Sequence, residues 1–395
     1  MGSNAVLYLE PTREVRPIEP ESSTPAAPRL RIVERDWRSF ECPAELASWN
    51  ALSLRASEPN PFLESWCLLP ALRALDSCGD VELLCLEADG QLAGLLPVRR
   101  EASYYGHPVP HWRNWLHPNA FLGTPLIARG LEKAFWLELL AWMDKNAGGA
   151  LFLHLERQAG EGPVGGALLQ VLEHMSRHAA TVMQEERAML RSELEPDAYL
   201  ERALSGKKRK ELRRQHRRLG EEGDLSSECL RDTAGLDDWI EAFLQLERAG
   251  WKGEAGSALA CDNATEAFFR DTLIGAARHG RLERRALLLD GQPLAMLASF
   301  MCPPAAFAFK TAFDERYARF SPGALLQLDN IEVLKRPEIE WSDSCAAMNH
   351  PMIDQFWRER RSIVSRNIAI GGAARQLLFR LIAAVETASG SKGSK

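Results

Sequence analysis

A short polar stretch that follows a predicted strand carries the side chains best suited to moving a proton. The strand candidate Ile339–Ser342 runs into WSDSCAAMNHPMIDQFWRER, which contains Asp343, His350 and Asp354. His350 is the first candidate for a general base because an unperturbed imidazole titrates near working pH, and Asp343 or Asp354 would orient its ring. Asp343 is the alternative base. An equally good interpretation makes His350 the cap of a helix predicted to start near Pro351.

A second stretch, Ala308–Asn330, has the pattern of an apolar strand, a polar turn and a capped helix. The strand ends in Lys310-Thr311, and Ser321-Pro322-Gly323 would open the helix, with serine as the N-cap and proline at the first helical position. The free backbone N–H groups at such a helix start bind anions, and the glycine would let a phosphate approach the backbone closely. Taken alone, the pattern also fits an ordinary capped helix.

Glu247, Trp251 and Lys252 form a third group, within the sequence LERAGWKGEAGSAL. Lys252 lies in a loop flanked by glycines, and an aromatic wall suits an apolar chain, so these residues are candidates for the lining of a substrate cleft. Packing of Trp251 in the core is the slightly favoured alternative. Cys345, close to the first group, is expected to be a buried structural thiol because no histidine is paired with it at a suitable spacing.

The sequence lacks the usual signatures of several enzyme classes. It has no G-x-S-x-G elbow, Walker A loop, H-E-x-x-H or zinc-type spacing, so neither a metal nor a tightly bound cofactor is expected. One G-x-G-x-x-G occurs at Gly160–Gly165, but it does not follow its strand candidate directly, and Pro163 removes a backbone donor. A flexible loop before a helix is the favoured interpretation there, with a relic phosphate loop as the alternative.

Composition places the chain among globular cytoplasmic proteins. Its 395 residues carry 48 basic and 54 acidic side chains, a formal net charge of −6, which excludes DNA or other nucleic-acid binding by the chain as a whole. The eight cysteines are scattered and form no C-x-x-C pair, as expected for reduced thiols. We find no run of roughly 18–20 uncharged apolar residues and no basic and apolar leader that would predict secretion.

Helix-like and strand-like segments alternate along the chain, which predicts a mixed α/β fold. Leu84–Leu95 (LCLEADGQLAGL) and Ala286–Leu297 (ALLLDGQPLAML) each read as an apolar strand, an Asp-Gly turn and a second apolar strand. Asp-Gly between apolar runs is a strong hairpin signal, because both central residues of the turn need positive φ. Two such hairpins, far apart in the chain, favour a duplicated domain.

The duplication sets the expected domain boundaries. We predict domains over residues 29–190 and 191–387, between unstructured ends at 1–28 and 388–395. A single basic helix, Pro196–Glu222, would join the two halves, and a long helix within Ile353–Thr387 would end the second.

The order of these segments resembles one family of enzymes. The basic helix, LERAGWKGEAGSAL, the second hairpin and KTAFDERYARFSPGALL follow one another as in GNAT-like acyltransferases of the CelD/BcsL type, which are related in fold to the duplicated-GNAT Fem peptidyltransferases. The resemblance is good over Leu194–Arg361, and the amino half fits as a degenerate GNAT copy. It implies two tandem GNAT-like domains, of which the second is catalytic.

The resemblance also implies where the site lies. Acyl-CoA would occupy the cleft of a splayed central sheet, with its pyrophosphate at the helix start, where the family's loop takes the form Arg319-Phe-Ser-Pro-Gly323-Ala324. Backbone N–H groups near Lys310-Thr311 would stabilise the oxyanion that forms when an amine attacks the thioester. The implied cofactor-binding residues are Lys310, Thr311, Arg319, Ser321, Gly323 and Ala324.

The implied activity is transfer of an acyl group, and by preference a fatty acyl group, from CoA to a primary amine. The stretch around His350 lies outside the general family pattern and suggests the subgroup that resembles bacterial ceramide synthases, whose acceptor is a sphingoid long-chain base. Two alternatives stay open. One is a Fem-like peptidyltransferase that uses aminoacyl-tRNA, disfavoured because no coiled-coil tRNA arm is evident, and the other is a non-catalytic scaffold in polysaccharide or envelope biosynthesis.

Two basic segments bear on where the protein acts. In Lys207–Arg218, basic side chains would lie around most of the circumference of the predicted helix. The final segment mixes arginines with isoleucines and leucines. Either segment would attract anionic lipid at the cytoplasmic face of the inner membrane. A solvated helix face together with a core-packing terminal helix explains the same residues equally well.

Overall fold

The computed structural model of the protein describes residues 28–390 and, within them, the side chains as far as Ile382. The unstructured ends predicted over 1–28 and 388–395 lie outside the described residues, except for Pro28 and for 388–390, which belong to the last helix.

The helices and strands alternate along the described chain. The helices are α1 (Pro43–Leu54), α2 (Ser65–Leu75), α3 (Glu132–Lys145), α4 (Pro163–His174), α5 (Pro196–Ala203), α6 (Gly206–Gly220), α7 (Leu236–Ala249), α8 (Trp251–Glu254), α9 (Asn263–Arg278), α10 (Pro322–Asn330), α11 (Ile353–Phe356) and α12 (Ala373–Gly390). The strands are β1 (Leu30–Asp36), β2 (Glu82–Ala88), β3 (Gln91–Glu101), β4 (His111–Asn114), β5 (Leu126–Ile127), β6 (Phe152–Ala159), β7 (Ala179–Leu190), β8 (Leu225–Leu230), β9 (Leu282–Leu289), β10 (Gln292–Cys302), β11 (Ala305–Phe313), β12 (Trp341–Asp343) and β13 (Glu359–Ala369).

All the described strands form one 13-stranded sheet, in the order β1-β2-β3-β4-β6-β13-β7-β12-β11-β10-β9-β8, with β5 beside β3. Each half of the chain contributes four consecutive antiparallel strands, β1–β4 and β8–β11. Each set then meets one parallel neighbour: β4 pairs with β6, and β11 pairs with β12. The predicted mixed α/β fold is therefore confirmed, and the strand order repeats from one half to the other.

The last strand of each half lies beside the other half. β13 pairs antiparallel with β6, and β7 pairs antiparallel with β12, while β7 and β13 also pair with each other at the centre of the sheet. The two halves thus exchange strands, and the sheet runs without interruption across both.

Both predicted hairpins are present. Asp89-Gly90 turns β2 into β3 and Asp290-Gly291 turns β9 into β10, and all four residues have positive φ. The positive φ angles that the two Asp-Gly pairs predict are therefore confirmed.

Two predicted helices are wrong in extent. The long helix expected within Ile353–Thr387 is instead the short α11, the central strand β13 and α12; the run Ser362–Ala369 of β13 is buried throughout. The basic helix expected over Pro196–Glu222 is two helices, because Leu204 and Ser205 are extended. The Ser205 hydroxyl starts α6 by accepting a hydrogen bond from the backbone N–H of Lys208, at 3.2 Å.

Aromatic side chains join the two halves where β10 and β11 meet the amino half. The ring of Phe62 lies within 6.3 Å of the rings of Phe121, Phe300 and Phe307. One of these rings, that of Phe121, lines the site described below. Among the described helices, none has the length and apolar character needed to cross a membrane.

Candidate active site

A cleft opens where β11 and β12 diverge. The two strands pair only over Ala305–Phe307, whereas β11 continues to Phe313 with no partner on that edge among the described residues. A bulge at Phe309 changes the register of β11 against β10 and re-aims the residues that follow it. The cleft, of about 190 Å³, is lined by Phe121, Lys252, Ala308, Phe309, Lys310, Thr311, Gln327, Ser344, Cys345, Ala346, His350, Met352 and Ile353.

Lys310 is the most chemically distinctive residue of the cleft. Its Nζ lies 5.4 Å from the centre of the Phe121 ring and 5.8 Å from that of Phe309, and no carboxylate lies within 4.0 Å of it among the described residues. Burial, and secondly the positive charge of Lys252, lower the pKa of Lys310 to about 8. A lysine in this state exchanges protons close to neutral pH.

Glu247 and Lys252 form an ion pair beside Lys310. The Lys252 Nζ donates to Glu247 Oε1 at 2.7 Å, and the backbone N–H of Leu259 donates to Glu247 Oε2 at 2.8 Å. Glu247 is buried at the end of α7, so both of its oxygens are occupied by these contacts. Glu247 therefore holds Lys252 at the cleft wall.

Trp251 lies at the mouth of an adjoining pocket and does not pack in the core, so the favoured alternative for this residue is wrong. Its side chain is 56% exposed, and its backbone N–H donates to Glu315 Oε1 at 2.7 Å. The small pocket under it shares Lys252 and Thr311 with the main cleft. An exposed tryptophan beside a cleft is suited to contact an apolar ligand.

His350 lines the cleft, but it also has the capping role that the sequence left open. Its Nδ1 accepts a hydrogen bond from the backbone N–H of Ile353, at 3.3 Å, at the start of α11. A neutral ring with Nδ1 as acceptor carries its proton on Nε2 and is a hydrogen-bond donor there. With Nδ1 engaged in this bond, the ring has a donor at Nε2 and no free acceptor nitrogen with which to remove a proton.

The predicted assembly of His350 with a carboxylate is not present. Asp343 is fully buried and binds the backbone N–H of Cys345 and the guanidinium of Arg361, each at 2.8 Å. Asp354 faces Arg360, with 3.6 Å between the charged atoms. Neither carboxylate orients the imidazole.

Asp343 and Arg187 contact two of the segments that line the cleft, those of Cys345 and Phe121. Arg187, on β7 of the amino half, donates to the backbone carbonyl of Phe121 at 2.8 Å and lies 3.6 Å from Asp343. Asp343 in turn holds Cys345, which adopts a left-handed φ of 52°. Burial raises the pKa of the Cys345 thiol well above its ordinary value, as expected for a structural cysteine.

The start of α10 forms a second cleft, of about 320 Å³, next to the first. It is lined by Ser321, Pro322, Gly323 and Ala324 with Lys208 of α6, and Met352 lines both clefts. Pro322 is the first helical residue, as predicted, and the first turn of α10 has no acidic side chain. In this turn the backbone N–H groups of Ala324 and Leu325 donate to the Ser321 carbonyl, at 2.9 and 3.1 Å. Pro322 has no N–H, so the backbone donor that this turn leaves to an anion is Gly323.

Two residues near the start of α10 differ from their predicted roles. Ser321 has a left-handed φ of 53° and its side chain does not cap α10; its Oγ instead accepts from Gln215 Nε2 of α6, at 3.1 Å. Arg319 is held by Glu222, with 2.8 Å between the charged atoms. Gly323 is tightly packed, because a Cβ there would lie 3.3 Å from both Met352 and Phe313.

The corresponding gap of the amino half, where β4 and β6 diverge, is filled by the chain itself. The Asn114 Oδ1 accepts from the backbone N–H of Glu156 at 2.6 Å, and its Nδ2 donates to the Glu156 carbonyl at 3.1 Å. Gly123 packs into the same place, since a Cβ there would lie 2.3 Å from the Glu156 carbonyl oxygen.

The helix starts of the amino half are occupied by internal carboxylates. α3 holds the position that α10 holds in the other half, and Glu132 in its first turn accepts from the backbone N–H of Gly130 at 3.0 Å. At the glycine-rich motif, Glu58 accepts from the backbone N–H of Val164 at 2.8 Å. A carboxylate of the protein thus takes the place of an anion at this helix start.

Sequence reasoning missed two contributors from the amino half. Phe121, in the stretch NWLHPNAFLGTPL, forms a wall of the cleft. His117, in the same stretch, is buried against Phe268 with neither ring nitrogen hydrogen-bonded among the described residues. Burial, and secondly the charge of Lys310, lower the pKa of His117 to about 3. A lone lysine in the apolar run AAFAFKTAF was the available signal for the perturbed Lys310.

With this geometry in place, comparison with known proteins identifies the class of fold. Residues 206–349 match the family described as an acetyltransferase (GNAT) domain. FemX has 12% sequence identity and a TM-score of 0.54, over 86% of this chain and 98% of that structure. No curated protein sequence compared with this chain is similar enough to count as a match.

Two further structures have the same arrangement. The C-terminal domain of a protein described as a lysylphosphatidylglycerol synthetase from Agrobacterium fabrum has 14% identity and a TM-score of 0.52, over 86% of this chain and 95% of that one. L-PGS from Bacillus licheniformis has 12% identity and a TM-score of 0.52, over 86% and 96%. These identities establish the fold alone.

The carboxy half thus contains a GNAT domain, and the amino half repeats its strand order, so the predicted tandem GNAT-like fold is confirmed. The chain has the fold of GNAT acyltransferases. Within the described residues, no cluster of histidine, cysteine, aspartate and glutamate side chains is arranged to hold a metal ion.

Proposed function

We propose that the protein transfers an acyl group from coenzyme A to a primary amine. The observation that carries this proposal is the juxtaposition, in adjoining clefts, of a free strand edge, a lysine of lowered pKa and an open helix start. The free edge of β11 offers backbone groups to the amides of pantetheine. The N–H of Gly323 and the charge of Lys208, which lines the same cleft, are offered to the pyrophosphate. The family match at 206–349 spans both features.

Lys310 is the base in this proposal, in place of His350 or Asp343. The amine nitrogen attacks the thioester carbonyl, so a C–N bond forms and the C–S bond then breaks. The proton lost by the nitrogen passes to Lys310 and from there to the sulfur of the departing CoA. A pKa of about 8 leaves part of Lys310 neutral near pH 7, whereas an ordinary lysine would be almost wholly protonated.

His350 is a donor in this proposal. The Nε2–H of its neutral ring and the free N–H groups of β11 near Lys310-Thr311 stabilise the oxyanion of the tetrahedral intermediate. Asp343 positions the loop of Cys345 and does not touch the reacting atoms. Asp354 stays with Arg360, away from the chemistry.

The acceptor that fits is an amine with an apolar chain, and the donor that fits is a fatty acyl-CoA. Phe121, Phe309 and Met352 give the cleft apolar walls, and Trp251 extends an apolar surface at the mouth. The charge of Lys252 is balanced by Glu247, so the wall does not repel an ammonium group strongly. We infer a relative of the CelD/BcsL type, and a sphingoid long-chain base is the acceptor suggested by the resemblance to bacterial ceramide synthases.

The first experiment is thermal unfolding of the purified protein with CoA, acetyl-CoA and palmitoyl-CoA, because a ligand that binds only the native state raises the midpoint. We expect a rise with each, and the largest with palmitoyl-CoA after a detergent control. Gly323→Val should abolish the rise, since its side chain would crowd Met352 and Phe313. Gly166→Val, where a Cβ meets nothing within 4 Å, is the matched control.

Turnover distinguishes the finer proposals. Release of free CoA with long-chain amines but not with short ones would support the lipid acceptor and would rule out a non-catalytic scaffold. A second candidate is an aminoacyl-tRNA donor, which the cations of α6 favour. Salt-dependent binding of tRNA, together with no shift from any CoA thioester, would support that candidate and contradict the CoA proposal.

A further inference from the structure

α6 presents a strongly cationic face to solvent. Of its 15 residues only Leu212 and Leu219 are buried. Three of its arginines are neutralised locally: Arg209 by Glu201, Arg214 by Glu211 and Arg217 by Glu221. Four exposed cations have no ion-pair partner within 4.0 Å among the described residues, and these are Lys207, Lys210, Arg213 and Arg218.

An apolar groove of about 400 Å³ runs beside these cations, between α5, α6 and α10. Its apolar lining consists of Leu200, Leu204, Leu212 and Leu328. Arg209 and Arg213 stand at its edge, together with Asp197 and Glu201. Because Arg209 is paired with Glu201, Arg213 supplies the unpaired positive charge next to the leucines. An anionic amphiphile fits this surface, with its charged head on Arg213 and its hydrocarbon chain on the leucines.

The same helix borders the candidate active site. Gln215 of α6 hydrogen-bonds to Ser321, and Lys208 lines the cleft at the start of α10. The exposed Trp251 is joined through Glu315 to the turn that packs against α6. The cationic face, the apolar groove and the mouth of the cleft are thus connected through adjacent elements.

We propose that α6 docks the protein on an anionic phospholipid bilayer. Phosphate headgroups bind Lys207, Lys210, Arg213 and Arg218, and an acyl chain of one lipid enters the α5–α6 groove. A bilayer lipid satisfies both features of this surface, whereas a nucleic acid supplies phosphates but leaves the leucine groove unused. This proposal rests on the proposed function in one respect: docking would bring the cleft to an amine held in the membrane. Docking itself does not require turnover.

The test is co-sedimentation with vesicles of phosphatidylcholine, with and without phosphatidylglycerol. The variant Lys207→Gln, Lys210→Gln, Arg213→Gln, Arg218→Gln removes the four unpaired charges without touching a buried residue. We expect the unaltered protein to prefer the anionic vesicles, with binding that weakens as salt increases, and the variant to lose at least ~100-fold in partitioning. A control variant replaces four exposed cations elsewhere, Arg129, Lys133, Lys145 and Arg278, by glutamine and should keep its binding.

The groove is tested separately by Leu200→Asn, which leaves every charge in place. Vesicle binding should weaken several-fold, because the half-buried leucine no longer offers apolar surface to the chain. Equal binding to neutral and anionic vesicles, or unchanged binding by the four-site variant, would overturn the proposal. So would tighter binding to tRNA than to anionic vesicles at the same salt concentration.

The failure of docking and the failure of the proposed function give different results. If only docking is wrong, the four-site variant and the unaltered protein bind vesicles alike, and CoA is still released from acyl-CoA with a soluble amine. If only the proposed function is wrong, no CoA thioester shifts the unfolding midpoint, and the difference in vesicle binding persists.

Discussion

The two halves of this molecule have the same strand order, yet only one of them has an open cleft. In the carboxy half, β11 and β12 diverge after Phe307 and leave a space lined by Lys310. In the amino half, Asn114 and Gly123 fill the equivalent gap between β4 and β6. The helix starts differ in the same way, because Glu132 occupies the first turn of α3 and no acidic residue stands in that of α10. A repeated topology therefore provides a place for chemistry, and a few side chains decide whether that place is used.

The largest expected effect is on turnover. Lys310→Met keeps an apolar side chain of similar length and removes the proposed base, so kcat/KM for acyl transfer should fall by at least ~100-fold. In the unaltered protein, kcat/KM should rise with pH as Lys310 loses its proton and level off above about 8. A Lys310→Met enzyme with full activity, or a rate independent of pH below 8, would remove Lys310 from the mechanism.

The same substitution has an opposite effect on stability. The pKa of Lys310 is lowered in the folded protein, so the unfolded chain binds more protons between about 8 and the ordinary lysine value. The lysine therefore destabilises the fold below pH 8, and this cost disappears as the pH rises. Lys310→Met should raise the free energy of unfolding at pH 7 on the order of 2 kcal/mol, measured by chemical denaturation. A gain of this kind would show that the variant loses activity without losing its fold.

Asn114→Ala tests the closed half. It removes a side chain that satisfies both the N–H and the carbonyl of Glu156 within the sheet, and we expect the free energy of unfolding to fall by about 2 kcal/mol. The CoA-induced rise of the unfolding midpoint should stay unchanged, because the gap lies in the other half. Loss of CoA binding in this variant would contradict the assignment of the open cleft as the CoA site.

His117 supplies a pH-dependent test at the junction of the halves. Its pKa of about 3 in the folded protein lies below the ordinary value, so the unfolded chain takes up the proton first and stability falls as the pH drops from about 6.5. His117→Leu should reduce the loss of stability between pH 7 and pH 5 by about 1–2 kcal/mol. Identical acid sensitivity of the two proteins in urea titrations would count against a neutral buried imidazole.

The smallest expected effect belongs to Glu132. Glu132→Gln removes the negative charge from the start of α3, and the free energy of unfolding should fall by about 0.5 kcal/mol at neutral pH. The pKa of Glu132 is lowered by hydrogen bonds from Ser57, Gly130 and its own N–H, against the effect of burial, so this contribution is lost in acid as the carboxylate is protonated. Binding of CoA should not change, which calorimetry would check.

Local signals in the sequence predicted the parts of the fold that depend on local chemistry. The Asp-Gly pairs at 89–90 and 290–291 require positive φ wherever they occur in a tight turn, and Pro322 starts α10 for a similar reason. β13 lies in a segment for which the sequence predicts a helix, because a strand buried on both faces has no alternating pattern. Its burial comes from β6 and β7, which are distant in the chain.

The site was predicted in position more successfully than in chemistry. Lys310 and the start of α10 were singled out from their segment, but the low pKa of Lys310 depends on Lys252 and on the burial of the cleft, which no local pattern contains. The sequence favours His350 as a base because histidine is the common proton acceptor in enzymes, whereas the hydrogen bond from Ile353 that sets its tautomer is a property of the folded loop. Arg187 contacts both Phe121 and Asp343, and no pattern in the sequence around either of those residues predicts these contacts.

The strand exchange between the halves has a consequence for synthesis on the ribosome. β6 leaves the exit tunnel long before β13, which is its neighbour in the sheet and comes almost at the end of the described chain. Until then the nascent amino half exposes an unsatisfied edge, a ready template for pairing with another chain. The first half of this protein thus completes its sheet only when translation is nearly over, and its yield in cells should depend on holdase chaperones and on the speed of elongation.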